Sequence, residues 1–140
     1  MDLAASLVPA TLAAALALYW NDVIQALVLA ILVAGSAVYH AVGMTATSLV
    51  FDYLVLVIYG LWAVSETSRR RRRIFWPAFA LALVTGGLGV YFYTLPYEYH
   101  YTWHALAGAG SFFLTIALGY YWDKTAPYGP APRGYAEVEK

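Results

Sequence analysis

Hydrophobic residues in this chain are grouped into five long, nearly uninterrupted stretches separated by short polar segments. Each stretch has about the 20 residues that an α-helix needs to cross a bilayer. Backbone groups in lipid must be hydrogen-bonded within their own segment, which favours helices. The pattern therefore predicts an all-α polytopic membrane protein, a bundle of about five transmembrane helices. The predicted spans are Leu3 to Trp20, Val23 to Gly43, Ala46 to Val64, Ile74 to Thr94 and Tyr99 to Trp122.

The composition supports a membrane protein and excludes several other classes. Of the 140 residues, 62% are hydrophobic and 11% are charged, whereas soluble domains are about 45–50% apolar and about 25% charged. A soluble enzyme, a disordered chain and a nucleic-acid-binding protein are therefore excluded. The chain has no cysteine, so a disulfide framework and Cys-ligated zinc are excluded as well.

Five consecutive arginines, Arg69 to Arg73, separate the third and fourth predicted spans. The positive-inside rule places this loop in the cytoplasm, where it also contacts anionic lipid. Residues 1–122 are thus expected to form the bundle, with the N-terminus outside and the C-terminus cytoplasmic. Residues 123–140 are rich in proline, glycine and charge and are predicted to be a disordered cytoplasmic tail. Asp22 and Glu98, at span ends, are interpreted as solvated interface charges.

Two further groups of residues are explained by membrane packing. Glycines in the fourth and fifth spans are expected to let helices approach closely. Aromatic residues at the outer end of the same spans are interpreted as an interface belt. These aromatic residues are Tyr91, Tyr93, Tyr97, Tyr99, Tyr101 and Trp103.

Four ionisable side chains lie inside predicted spans, where such groups are costly and indicate function. They are His40, Asp52, His100 and His104, and the chain has no other histidine. His100 and His104 are four residues apart and therefore share one helix face, as do Ser36 and His40. With the arginine loop inside, all four lie within about 10 Å of the outer membrane face. One such residue alone fits a structural role equally well, but their common depth favours a site.

Three neutral imidazoles with a free fourth position are the ligand set of catalytic zinc. Zinc lowers the pKa of a water molecule bound there to about 7 and polarises a carbonyl group. Asp52 can accept the proton of this water, and Ser36 can hydrogen-bond the developing oxyanion or orient an imidazole. Bis-histidine haem ligation is an alternative, but it requires neither Asp52 nor Ser36.

These motifs, in this order, resemble the alkaline ceramidases, which belong to a superfamily of membrane hydrolases that includes the adiponectin-receptor-like proteins. The resemblance is carried by Gly35 to His40, Phe51 to Leu54 and His100 to Phe112. It implies a zinc-dependent intramembrane hydrolase, in a shortened five-helix form of a seven-helix family, that cleaves the amide bond of a ceramide-like or N-acyl lipid. It also implies that zinc is bound by His40, His100 and His104, that Asp52 acts on the zinc-activated water, and that Ser36 assists at the oxyanion.

A second hypothesis is a non-catalytic, metal-stabilised membrane subunit of a larger assembly or a homodimer, because five helices leave little room for an acyl chain. The first hypothesis predicts a Zn²⁺ cofactor, a lipid amide substrate within the bilayer and a role in sphingolipid metabolism. Neither hypothesis includes a nucleic-acid partner. The small, cysteine-free and alanine-rich chain suggests a prokaryotic plasma membrane, with the site facing the outer leaflet.

Overall fold

The residues that the structure describes form five α-helices, which confirms the all-α prediction and the number of helices. A computed structural model of the chain describes residues 3–42, 45–71, 74–95 and 99–120. Residues 123–140, predicted to be a disordered tail, and Glu98 lie outside these ranges. The helices are α1 (Leu3–Tyr19), α2 (Val23–Ala41), α3 (Ala46–Arg69), α4 (Trp76–Tyr93) and α5 (His100–Gly119).

Within the described ranges, three segments are long and apolar enough to cross a membrane: Val23–Ala41, Val50–Arg69 and Trp76–Tyr93. α1, with 17 residues, is shorter, and α5 is not in this group although it has 20 residues. α5 contains polar side chains, and three of them, His104, Ser111 and Thr115, are buried inside the bundle. Polar side chains in a helix that is surrounded by other helices do not have to face lipid.

α5 is the central helix of the bundle. It packs against α1 and against α4, while α1 also packs against α2, and α2 against α3. A Cβ atom placed on Gly108 would lie only 3.0 Å from the backbone nitrogen of Ala10 in α1. One placed on Gly89 of α4 would lie 3.1 Å from the backbone nitrogen of Ala107. Glycines therefore let α5 approach both neighbours closely, as the sequence predicts.

The outward faces of the helices are apolar. Ile24 and Leu61 are 69% exposed, and Val64 is 68% exposed. Many exposed large apolar side chains are unusual in a soluble monomer and are typical of a protein that contacts lipid. The described residues include two clusters of buried hydrophobic side chains, one of Ala13, Ala17, Ala26 and Leu29 and one of Ile74, Ala78, Leu114, Ala117 and Leu118.

An ion-pair cluster joins three helices at the end of the bundle where α3 ends. Nη2 of Arg70 lies 2.7 Å from Oδ2 of Asp22, and Nε of Arg70 lies 2.7 Å from Oε2 of Glu66. Nη1 of Arg70 also donates to the backbone oxygen of Leu118 over 3.3 Å. Asp22 additionally accepts from the backbone N–H of Gln25 at the start of α2. Asp22 is therefore not the solvated charge that was expected, because a buried guanidinium reaches it.

The same cluster explains why α3 continues beyond its predicted end at Val64. Glu66 forms ion pairs with Arg69 and Arg70, three and four residues further along the chain. Pairs at these spacings stabilise a helix. The polar residues after Val64 therefore remain helical to Arg69.

Candidate metal centre

The three histidines meet at the end of the bundle where α2 ends and α5 begins. His40 is in the last turn of α2, and His100 and His104 are in the first two turns of α5. Nε2 of His40 lies 3.0 Å from Nε2 of His104 and 3.2 Å from Nε2 of His100. The Nε2 atoms of His100 and His104 are 3.1 Å apart. Three ring nitrogens from two helices thus converge on one point.

Hydrogen bonds alone do not explain this triangle. The Nε2 atom of an imidazole carries either one proton or one lone pair, so it is a donor or an acceptor but not both. Among three mutually close nitrogens, at least two are therefore of the same kind, and the contact between those two is unfavourable. All three can instead direct lone pairs at a common cation without conflict.

The spacing of the three nitrogens fits a small metal ion. Zn–N bonds of 2.0–2.1 Å in a tetrahedral site leave about 3.3 Å between the ligating nitrogens, close to the observed 3.0–3.2 Å. Haem fits less well, because bis-histidine ligation places imidazoles on opposite faces of a flat macrocycle. The group of His40, His100 and His104 can therefore hold a metal ion, and several transition metals accept imidazole ligands.

Ser36 lies behind one of the three imidazoles. It is one helical turn before His40 on α2, and its Oγ lies 3.2 Å from Nδ1 of His104. If Nδ1 of His104 donates to this oxygen, the Nε2 atom keeps its lone pair for a metal. Of the two roles that the sequence suggests for Ser36, the geometry favours the orientation of an imidazole.

Asp52 approaches the histidines from α3. It is 7% exposed and lines a cavity of about 30 Å³ together with Ser36 and His104. A Cβ atom on Gly35 would lie 3.2 Å from Cγ2 of Val55, so glycine at this position permits close contact between α2 and α3. The cavity has room for about one or two water molecules, next to a carboxylate that can accept a proton from them.

Aromatic rings surround the imidazoles. The ring centroids of Tyr39 and Tyr101 lie 5.0 and 5.6 Å from that of His40. Trp103 packs beside His104 with the ring centroids 5.0 Å apart. Tyr101 and Trp103, which the sequence assigns to an interface belt, both contact the site, and Trp103 is buried.

Trp103 is the functional candidate that sequence reasoning missed. It is 8% exposed, and it lines the cavity that contains Ser36 and Asp52. Its Nε1–H is buried and has no hydrogen-bond partner in the part of the chain that the structure describes. The available signal was its position directly before His104, which places it on the helix that carries two of the three histidines.

Comparisons with known proteins do not identify the chain. No family model, no curated protein and no solved structure matches it. The resemblance to alkaline ceramidases therefore depends on the motifs alone.

Proposed function

We propose that the chain is a zinc-dependent intramembrane hydrolase that cleaves the amide bond of a ceramide-like or N-acyl lipid. The observation that carries this proposal is the convergence of three Nε2 atoms to within 3.0–3.2 Å of one another. Zinc held by three imidazoles supplies an open coordination position, a Lewis acid for a carbonyl oxygen and a more acidic water molecule. Its ligands are His40, His100 and His104.

Asp52 and Ser36 supply the remaining chemistry. Asp52 accepts the proton that water releases as its oxygen joins the amide carbon, and that proton passes to the nitrogen as the C–N bond breaks. The products are a fatty acid and an amine. Ser36 holds the His104 ring in the orientation that keeps its Nε2 directed at the other two histidines. Both residues line the cavity beside His104, which supports these assignments.

The proposed setting is a plasma membrane, with all five helices crossing it. Arg69, Arg70 and Arg71 lie at the opposite end of the bundle from the histidines, because α3 begins near the site and ends at the arginines. The positive-inside rule then orients the N-terminus outward, the C-terminus towards the cytoplasm and the histidines towards the outer leaflet. The prokaryotic origin that the composition suggests belongs to the same proposal.

The first experiment measures the metal content of the purified chain in detergent. We expect about one zinc ion per chain, lost in His40→Ala, His100→Ala and His104→Ala. Tyr101→Phe is the matched control, since it keeps an aromatic ring against His40 and removes no ligand. The zinc-loaded protein is then given ceramide in phospholipid vesicles, and release of fatty acid is measured. Wild-type protein that is folded but holds no zinc contradicts the proposal.

A non-catalytic metal-stabilised subunit is the second candidate, and one observation favours it. The contacts between the His40 ring on α2 and the two histidines on α5 join helices at the end of the bundle, so a metal there would fasten α2 to α5. This candidate predicts that zinc removal lowers the free energy of unfolding while the zinc-loaded chain hydrolyses no lipid amide. Fatty-acid release that depends on zinc excludes it.

A further inference from the structure

An apolar groove separates α3 from α4, with α5 as its floor. It has a volume of about 340 Å³ and is lined by residues between Tyr59 and Thr67 of α3, between Phe79 and Val90 of α4, and between Trp103 and Leu114 of α5. The stretch from Phe79 to Val90 spans about 16 Å at 1.5 Å per residue. We refer to this feature as the α3–α4 groove.

The rim of the α3–α4 groove is exposed and apolar. Val64 is 68% exposed, Leu83 63% and Val90 64%, and all three line the groove. Two of the polar side chains on its wall are already engaged, because the Tyr59 hydroxyl is hydrogen-bonded to Ser111 and Ser111 Oγ donates to the backbone oxygen of Ala107. α3 and α4 both contain segments apolar enough to cross a membrane. An alkyl chain entering sideways from lipid matches this lining.

Trp103 connects the α3–α4 groove to the candidate metal centre. Trp103 and Ala107 line both the groove and the small cavity that holds Ser36 and Asp52. The Nε1–H of Trp103 is buried without a partner among residues 3–42, 45–71, 74–95 and 99–120. Burying a donor without an acceptor is costly, whereas phenylalanine would fill similar space with no donor. An unpaired donor at this junction is explained if a ligand brings the acceptor.

We propose that Trp103 Nε1–H binds an acceptor oxygen of a lipid whose single alkyl chain lies in the α3–α4 groove. Trp103 is thus a positioning residue that places the polar group of the lipid beside His104. It selects ligands with an oxygen at the end of the chain over plain hydrocarbons, because only the former satisfy the buried N–H. One part of the inference rests on the proposed function, namely that the oxygen bound by Trp103 belongs to the amide group that is cleaved.

The test observes the indole N–H signals of ¹⁵N-tryptophan-labelled protein in nanodiscs. The signal absent from Trp103→Phe is that of Trp103, and the signal of Trp76, which is 61% exposed and outside the groove, is the internal reference. Dodecanoyl ethanolamide is added as the probe, and dodecane as the chain without an acceptor. We expect the amide to shift the Trp103 proton downfield and dodecane not to do so. Trp103→Phe should bind the amide about three- to tenfold more weakly.

A matched pair of glycine variants tests the position of the alkyl chain. A Cβ atom on Gly86 or on Gly87 meets no other atom within 4 Å, so a side chain can begin at either position without a clash. Gly86 lines the groove and Gly87 does not. Gly86→Leu should therefore abolish the amide-induced shift of Trp103, and Gly87→Leu should retain it.

Failure of this inference and failure of the proposed function give different results. If the protein holds zinc and hydrolyses the amide while the Trp103 signal does not move, Trp103 is not the donor. If the Trp103 signal shifts in protein that shows no hydrolysis, the lipid site is supported and the hydrolase is not. If Gly86→Leu leaves the shift intact and instead changes the oligomeric state, another helix covers the groove and the inference is overturned.

Discussion

Ser36 Oγ lies 3.2 Å from Nδ1 of His104, across the interface between α2 and α5. This contact holds the His104 ring from behind, on the side away from His40 and His100. It is compatible with the tautomer in which Nδ1 donates to the serine oxygen and Nε2 carries the lone pair, which is the form that a metal ligand requires. Hydrogen-bond partners of metal-ligating histidines commonly change metal affinity by 10–100-fold when they are removed.

Ser36→Ala should therefore weaken zinc binding by about tenfold or more while leaving the helices intact. The measurement is a competition titration with a zinc chelator, accompanied by far-ultraviolet circular dichroism. Ser6→Ala is the matched control, since Ser6 is also a buried serine but donates to the backbone oxygen of Leu3 in its own helix. Equal zinc affinities in the two variants would show that Ser36 does not orient His104.

Asp52→Asn should keep zinc and lose amide hydrolysis. Asparagine preserves the size of the side chain in the small cavity but cannot accept a proton from water, and loss of a general base costs about 10²–10⁴ in rate. The measurement compares the zinc content and the kcat for fatty-acid release of the variant with those of wild type. Tyr53→Phe is the control, because Tyr53 is the neighbouring residue, is 43% exposed and does not line the cavity of Asp52. Full turnover by zinc-loaded Asp52→Asn would remove Asp52 from the mechanism.

The helices and the histidine cluster were predictable because both follow from local spacing. Apolar stretches separated by polar segments locate α1 to α5, and a separation of four residues places His100 above His104 on one face. The arginine run predicts which end of each helix faces the cytoplasm. This orientation places His40 at the same depth in the membrane as His100 and His104. No measured contact is needed for any of these steps.

The contacts made by Arg70 and Trp103 could not be predicted in the same way. A run of arginines at a span end fits a topology anchor, and the pairing of one of them with Asp22 depends on how α2 and α3 meet. An aromatic residue near a span end fits an interface belt equally well, and the burial of Trp103 depends on α5 being central. Hydropathy describes each helix alone, whereas burial depends on its neighbours.

Gly108→Ala should destabilise the bundle. The added methyl group would lie 3.0 Å from the backbone nitrogen of Ala10 and 3.3 Å from Cβ of Pro9, so α1 has to move away from α5. Overpacking of this kind costs about 1–3 kcal/mol of unfolding free energy. Titration with sodium dodecyl sulfate, followed by circular dichroism, measures the change.

Gly87→Ala is the control for that substitution. A Cβ atom on Gly87 has no neighbour within 4 Å, so only helix propensity changes, and alanine is favoured over glycine by up to about 1 kcal/mol. The two variants should therefore shift the unfolding free energy in opposite directions. A loss of stability in both would mean that glycine is needed for a reason other than the contact between α1 and α5.

Arg70→Met should cost about 3 kcal/mol of unfolding free energy, whereas Arg69→Met should cost less than about 1 kcal/mol. The Arg70 side chain is 8% exposed, and its removal leaves the partly buried carboxylates of Asp22 and Glu66 without their common partner. The Arg69 side chain is 59% exposed and pairs only with Glu66 among the ion pairs that the structure describes. Water therefore replaces most of the interaction that Glu66 loses in Arg69→Met. The same detergent titration compares the two variants.

The double variant of Asp22→Asn with Arg70→Met should lose less unfolding free energy than the sum of the losses in the two single variants, because Asp22 no longer carries an unpaired charge. Additive losses would show that the ion pair between Asp22 and Arg70 does not hold α2 to α3.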